Sequence, residues 1–117
     1  MKIAVLIVKA LLTLAFVAAG VSKLLGVEMM VQTFEQVGVG QWFRYVTGII
    51  EVGGAALLWV PARQWLGAAL LGATMVGAVL AHLLILGPSA IPAAVLGLLC
   101  AFILFAHREQ IPFLAKA

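Results

Sequence analysis

Four apolar stretches, residues 3–25, 42–60, 65–86 and 91–106, occupy most of this 117-residue chain. Each is about 16 to 23 residues long, close to the ~20 that cross a bilayer core at 1.5 Å per residue. Only about 9% of the residues are charged and 66% are hydrophobic, whereas a soluble domain carries about 25% charged residues. A soluble fold this short has too little interior to hide so much apolar surface. The pattern predicts an all-α membrane protein: a four-transmembrane-helix antiparallel bundle, with 1–117 as one domain. No linker, low-complexity segment or repeat divides it.

The connectors fit that plan. Between the first two runs, residues 27–38 place Val27, Met30, Val31, Phe34 and Val37 on one helical face and Glu28, Gln32, Glu35 and Gln36 opposite. This predicts a short amphipathic helix, either a surface connector or a lid over the bundle mouth. Pro61 ends the second run, and the segment Gly87-Pro88-Ser89-Ala90 makes a tight reversal before the fourth. Such short loops join antiparallel neighbours.

The net charge of +3 comes from scattered Lys and Arg, which form no basic stripe for nucleic acid and read instead as topology signals. Lys2, Lys9, Arg63, Arg108 and Lys116 share one side. Lys23 and Arg44 flank the other, together with Glu28 and Glu35. The bias predicts cytoplasmic termini, with the loop over residues 26–41 outside. The first run resembles a signal peptide, but Lys9 interrupts it and apolar character resumes to Leu25, so it is expected to stay as a span. Trp42, Tyr45, Trp59 and Trp65 near the span ends suit an aromatic belt. Small residues at spacing four, Ala69, Ala73, Gly77 and Ala81 in the third run and Ala93, Gly97 and Ala101 in the fourth, are expected to be packing seams within the bundle or a homo-oligomer.

Within these runs one charge stands out. Glu51 sits near the middle of the second, where a carboxylate costs roughly 2.5 to 3.5 kcal/mol to insert. Helical phase aligns it with Arg44, Gly48 and Ala55; in the first run Lys9, Thr13, Gly20 and Lys23 share a stripe, and in the third Met75, Ala78 and His82 do. Lys23, Arg44, Glu51 and His82 are thereby expected to form a polar site in the outer half of the bundle. Two accounts stand side by side. Lys23 or Arg44 can simply neutralise a buried Glu51; alternatively, the group binds a polar ligand head or relays protons, with Glu51 and His82 titrating.

Other chemistries lack their residues. Cys100 is the one cysteine, so no disulfide or CxxC pair forms within the chain, and a four-helix oxidoreductase working through paired thiols is excluded. There is no HxxxH or ExxH pair for a metal, with His107 at the opposite end from His82, and no nucleophile beside a base. The sequence therefore leans away from an enzyme. Gly53-Gly54 reads as a packing or kink site rather than a phosphate loop.

The segments FVAAGVSKLLG, RYVTGIIEVGGAALLW and GATMVGAVLAHLL carry Phe16, Gly20, Lys23, Leu24, Phe34, Gly38, Gly48, Glu51, Met75, Ala78 and His82 in an order that resembles the DoxX family, in its short DoxX-like branch. The likeness covers roughly residues 13–106. It implies a small four-helix integral membrane protein, in the inner membrane of a bacterium, with an association with membrane redox. Under that resemblance the expected role is an accessory or ligand-binding component for a quinone or another lipophilic small molecule. The alternatives are a small proton-coupled transporter using Glu51 and an assembly factor for partner membrane proteins. The lone Cys100 sets any thiol-based role aside.

Overall fold

A computed structural model describes residues 2–87 and 90–111 of the chain; Lys116 and the Pro88-Ser89 centre of the third connector lie outside the described residues. All of the regular structure among the described residues is helical: α1 (Lys2–Leu25), α2 (Glu28–Val37), α3 (Gln41–Leu57), α4 (Gln64–Ala81), a π-helical segment (His82–Leu86) that continues α4, α5 (Ile91–Ala106) and a 3-10 turn (Arg108–Gln110). Two of these, Lys2–Leu25 and Gln64–Leu86, are long and apolar enough to cross a membrane, and Ile91–Ala106 is a shorter apolar helix.

α3 stops three residues short of the expected end of its run. Pro61 lacks the N–H that would bond the Leu57 carbonyl, and Trp59 and Val60 instead donate to Ala56 and Leu57 three residues back, at 3.1 Å each. At the far end of α4 the Gly87 N–H reaches back five residues to the His82 carbonyl at 3.0 Å, which gives the segment its π form.

The long helices pack in sequence, α1 on α3, α3 on α4, α4 on α5, with α5 returning to α1. Contacts at both ends of the first pair fix its antiparallel sense, since Trp59 reaches Thr13 and Lys23 reaches Glu51. The core contains Leu12, Phe16, Ala55, Leu58, Leu71 and Ile103, each at most 1% exposed.

Within the chain, two close backbone approaches lie away from the expected α4 stripe. A Cβ placed on Gly20 of α1 would lie 2.9 Å from the Gly48 carbonyl of α3, and one on Gly67 of α4 would lie 2.6 Å from the Gly54 carbonyl of α3. Backbone meets backbone at both points, which only glycine allows. In the expected α4 stripe, Ala73 and Gly77 are exposed, no neighbouring helix among the described residues comes within 4 Å of a Cβ added to Gly77, and Ala73, Gly77 and Ala81 border a cavity. The face that meets α5 is one step round the helix: Gly72 lies against Cys100, and Met75 against Gly97 of α5.

The outer surface is apolar along every long helix. Leu14, Ile49, Val76, Leu84 and Leu98 are all more than 60% exposed. Water would leave so much contiguous apolar area uncompensated, whereas lipid covers it without cost.

Candidate functional site

Helical phase brings Lys23, at the end of α1, against Glu51, in the middle of α3. The ammonium lies 2.7 Å from Glu51 Oε1, and the two side chains are 12% and 2% exposed. Among the described residues this is the one ion pair. The approach is off hydrogen-bond alignment, so Oε1 is held by charge and keeps an unmet hydrogen-bonding capacity. Neither group could remain charged alone at this depth, because an isolated buried charge costs several kcal/mol after relaxation.

Arg44 is 5% exposed and does a different job from the one its phase suggested. Its Nη1 donates to the Lys23 backbone carbonyl and its Nε to Gln41 Oε1 at 2.8 Å, while its guanidinium stacks 4.4 Å from the Tyr45 ring. It caps the C-terminal end of α1, where carbonyls lack partners and the helix dipole favours a cation. Arg44 thus holds the backbone of Lys23 and does not meet Glu51.

His82 begins the π-helical segment. It lines the same cavity as Lys23 and Glu51, and its buried Nδ1 has no hydrogen-bond partner among the described residues. Met75 and Ala78, on the same stripe, line the cavity with it. The structure therefore brings Lys23, Glu51 and His82 to one cavity and sets Arg44 behind them.

That cavity measures about 490 Å³, within the roughly 300–1,000 Å³ of small-molecule sites. Its walls are largely apolar. α2 forms one of them, contributing Met29, Met30, Thr33, Phe34 and Val37; this is the contribution that length and amphipathicity left open between connector and lid. Phe34 anchors α2, 7% exposed and with its ring 6.0 Å from that of Phe43 on α3. Gln41 Nε2 ties the two helices again by donating to the Val31 carbonyl at 3.0 Å. Sequence reasoning missed Thr47 and Thr74, which add hydroxyl groups to the lining, although Thr47 already donates to Phe43 and Thr74 to Leu70, four residues back along their helices. Threonine inside an apolar helix was the available signal.

Among the described residues no three His, Cys, Asp or Glu side chains come together to hold a metal ion. Cys100 is fully buried against α4 and free. The site can therefore present one paired carboxylate, one ammonium and one imidazole to a molecule lodged in an apolar chamber.

No curated protein and no solved structure matches the chain. The profile of the DoxX-like family matches residues 7–105, a span that includes Lys23, Arg44, Glu51 and His82. With nearly the whole chain covered, this protein belongs to the DoxX-like family.

Proposed function

We propose that the protein is a membrane-embedded accessory protein whose cavity holds a lipophilic small molecule with a polar head, of the quinone type. The observation that carries this reading is that Glu51 Oε1, met only by the Lys23 ammonium, and His82 Nδ1, without a partner among the described residues, belong to residues bordering one apolar cavity of about 490 Å³. Buried polar atoms are ordinarily satisfied. A head group with two hydroxyls, as in the reduced quinol form, meets both, one donating to Glu51 and the other accepting from His82, while an apolar tail occupies the space between α2 and α4.

The same reading includes four spans, α1, α3, α4 with its π-helical end, and α5, in a bacterial inner membrane with cytoplasmic termini. The exposed apolar faces of these helices support it, as does the distribution of Lys and Arg. Cysteines placed at Gln36 and Arg63 in a Cys100→Ala background test the orientation. Labelling from outside intact cells is expected at position 36 and not at 63.

Decylubiquinol, the reduced form whose ring hydroxyls can donate to Glu51 and accept from His82, followed by tryptophan quenching of the protein in detergent under reducing conditions, tests the site. Glu51→Gln and His82→Phe are each expected to weaken its binding about tenfold, the loss of one hydrogen bond to a charged or buried partner. Absence of binding by the unmodified protein, or binding by both variants as tight as that of the unmodified protein, refutes the reading. A proton-coupled transporter using Glu51 predicts instead that a pH gradient drives uptake into proteoliposomes and that Glu51→Gln abolishes it. Holding partner helices, as an assembly factor would, predicts neither result.

A further inference from the structure

The opposite end of the molecule holds a second polar cluster. Lys9 is 8% exposed, its ammonium lies 4.9 Å above the Trp59 ring, and no carboxylate pairs with it among the described residues. A pocket of about 550 Å³ is lined there by Lys2, Lys9, His107 and Arg108, with Glu109 as its one carboxylate and Val5, Leu6 and Phe105 among its apolar walls. Three cations against one carboxylate leave a net charge of +2 with His107 neutral.

The protonation of His107 follows from its neighbours. The Trp65 backbone N–H donates to Gln110 Oε1 at 3.1 Å, which fixes the orientation of that amide. Gln110 Nε2 is then the donor, to Gln64 Oε1 at 2.7 Å and towards His107 Nδ1 at 3.4 Å. With Nδ1 accepting, a neutral His107 carries its proton on Nε2. That Nε2 is buried and has no acceptor among the described residues. Burial, followed by the nearby Lys9 charge, holds the imidazole below its ordinary range, with Glu109 pulling the other way. Arg108 commits one N–H to the Phe105 carbonyl at 2.8 Å and retains other donors.

We infer that this pocket is a binding site for a phosphate-type oxyanion, held by Lys2, Lys9 and Arg108 with the Nε2–H of His107 as a further donor. The anion supplies the missing counter-charge of a buried lysine and the missing acceptor of a buried imidazole. The apolar walls accommodate acyl chains, so the phosphate of an anionic lipid and free phosphate are the two sources of this chemistry. The site is separate from the Lys23–Glu51 cavity and does not depend on what that cavity holds.

The test uses the full chain with ¹⁵N-labelled histidine in phosphatidylcholine nanodiscs, titrated in parallel arms with phosphatidylglycerol and with inorganic phosphate. A saturating shift of the His107 Nε2 signal is expected. A response to phosphatidylglycerol alone assigns a lipid head group, and a response to both assigns free phosphate. Lys9→Gln and Arg108→Gln are each expected to weaken the response about fivefold, as removal of one cation from an anionic lipid contact does. If Lys9→Gln does not fold, Lys2→Gln with Arg108→Gln, both at exposed positions, takes its place. Arg63→Gln, on the same predicted side but outside the pocket, is expected to change nothing. No shift in either arm, or an equal weakening by Arg63→Gln, overturns the assignment.

Discussion

Lys9 and Lys23 lie on one stripe of α1, fourteen positions apart, and meet opposite electrostatic solutions. Lys23 faces a carboxylate from α3 at 2.7 Å. Lys9 faces the ring of Trp59 and a cluster of other cations. The first charge is balanced inside the chain, so that end of the molecule can present a nearly neutral polar group to an apolar cavity. The second has no carboxylate in ion-pair contact among the described residues, and Glu109 alone offsets the three cations of its pocket, so that end is suited to take its counter-charge from outside. The contrast shows that a buried lysine has two different uses, depending on whether the fold provides its partner.

The largest expected effect separates the two lysines by stability. Glu51→Ala strands Lys23 and is expected to cost about 3–5 kcal/mol in thermal unfolding in detergent, while Lys23→Met with Glu51→Gln together recover most of it. Lys9→Met strands no carboxylate and loses only the ring contact, worth about 0.5–2 kcal/mol. Equal losses from Glu51→Ala and Lys9→Met would break the comparison. Next in size is Gly67→Ala, whose new methyl meets the Gly54 carbonyl. It is expected to cost about 1–3 kcal/mol and to loosen α3 from α4 without touching either lysine. Added salt sharpens the contrast further: anionic-lipid binding at the Lys9 end is expected to weaken as ionic strength rises, because Lys2 and Arg108 are exposed and screened, while the stability contributed by the buried Lys23–Glu51 pair hardly moves.

The smallest effect concerns pH. The His107 imidazole is lowered in the folded chain, by burial first and Lys9 second, so above the ordinary histidine range both states are neutral and nothing is lost. As pH falls through about 6.5, the unfolded chain takes up this proton before the folded one does. The melting temperature is therefore expected to fall slightly more steeply between pH 7.5 and 5.5 in the unmodified protein than in His107→Phe. Saturation with a bound phosphate group is expected to remove that difference.

Periodicity and length were enough to read the elements. The amphipathic segment and the fourth run became α2 and α5 within a residue or so, because a faced pattern and the Pro-Ser-Ala-Ile-Pro break mark their ends in the sequence. That Glu51 takes a cationic partner was legible too, since a buried carboxylate in an apolar run requires a cation at matching depth. Which cation served was not. Arg44 and Lys23 are equally good by phase, and only the path of the chain round Gly26 aims the guanidinium at the α1 carbonyl. The seam of α4 was also hidden: in a helix apolar on all sides, a small-residue stripe marks a hollow as readily as a contact. His107 could be placed at the Lys9 end, but its missing acceptor depends on Gln64, Trp65 and Gln110 converging from distant parts of the chain.

The π-helical segment is a one-residue surplus that the end of α4 absorbs. Its Gly87-to-His82 bond spans one position more than an α-helical turn, which rotates everything beyond it by about 100° relative to a regular helix. Removing a single residue between 83 and 86 would restore regular winding without shortening the apolar stretch appreciably, yet it would swing Leu86 off the cavity wall and reset the approach to α5. In this chain, sequence length in that turn acts as an angular setting, and insertions or deletions there count as rotations rather than as changes of size.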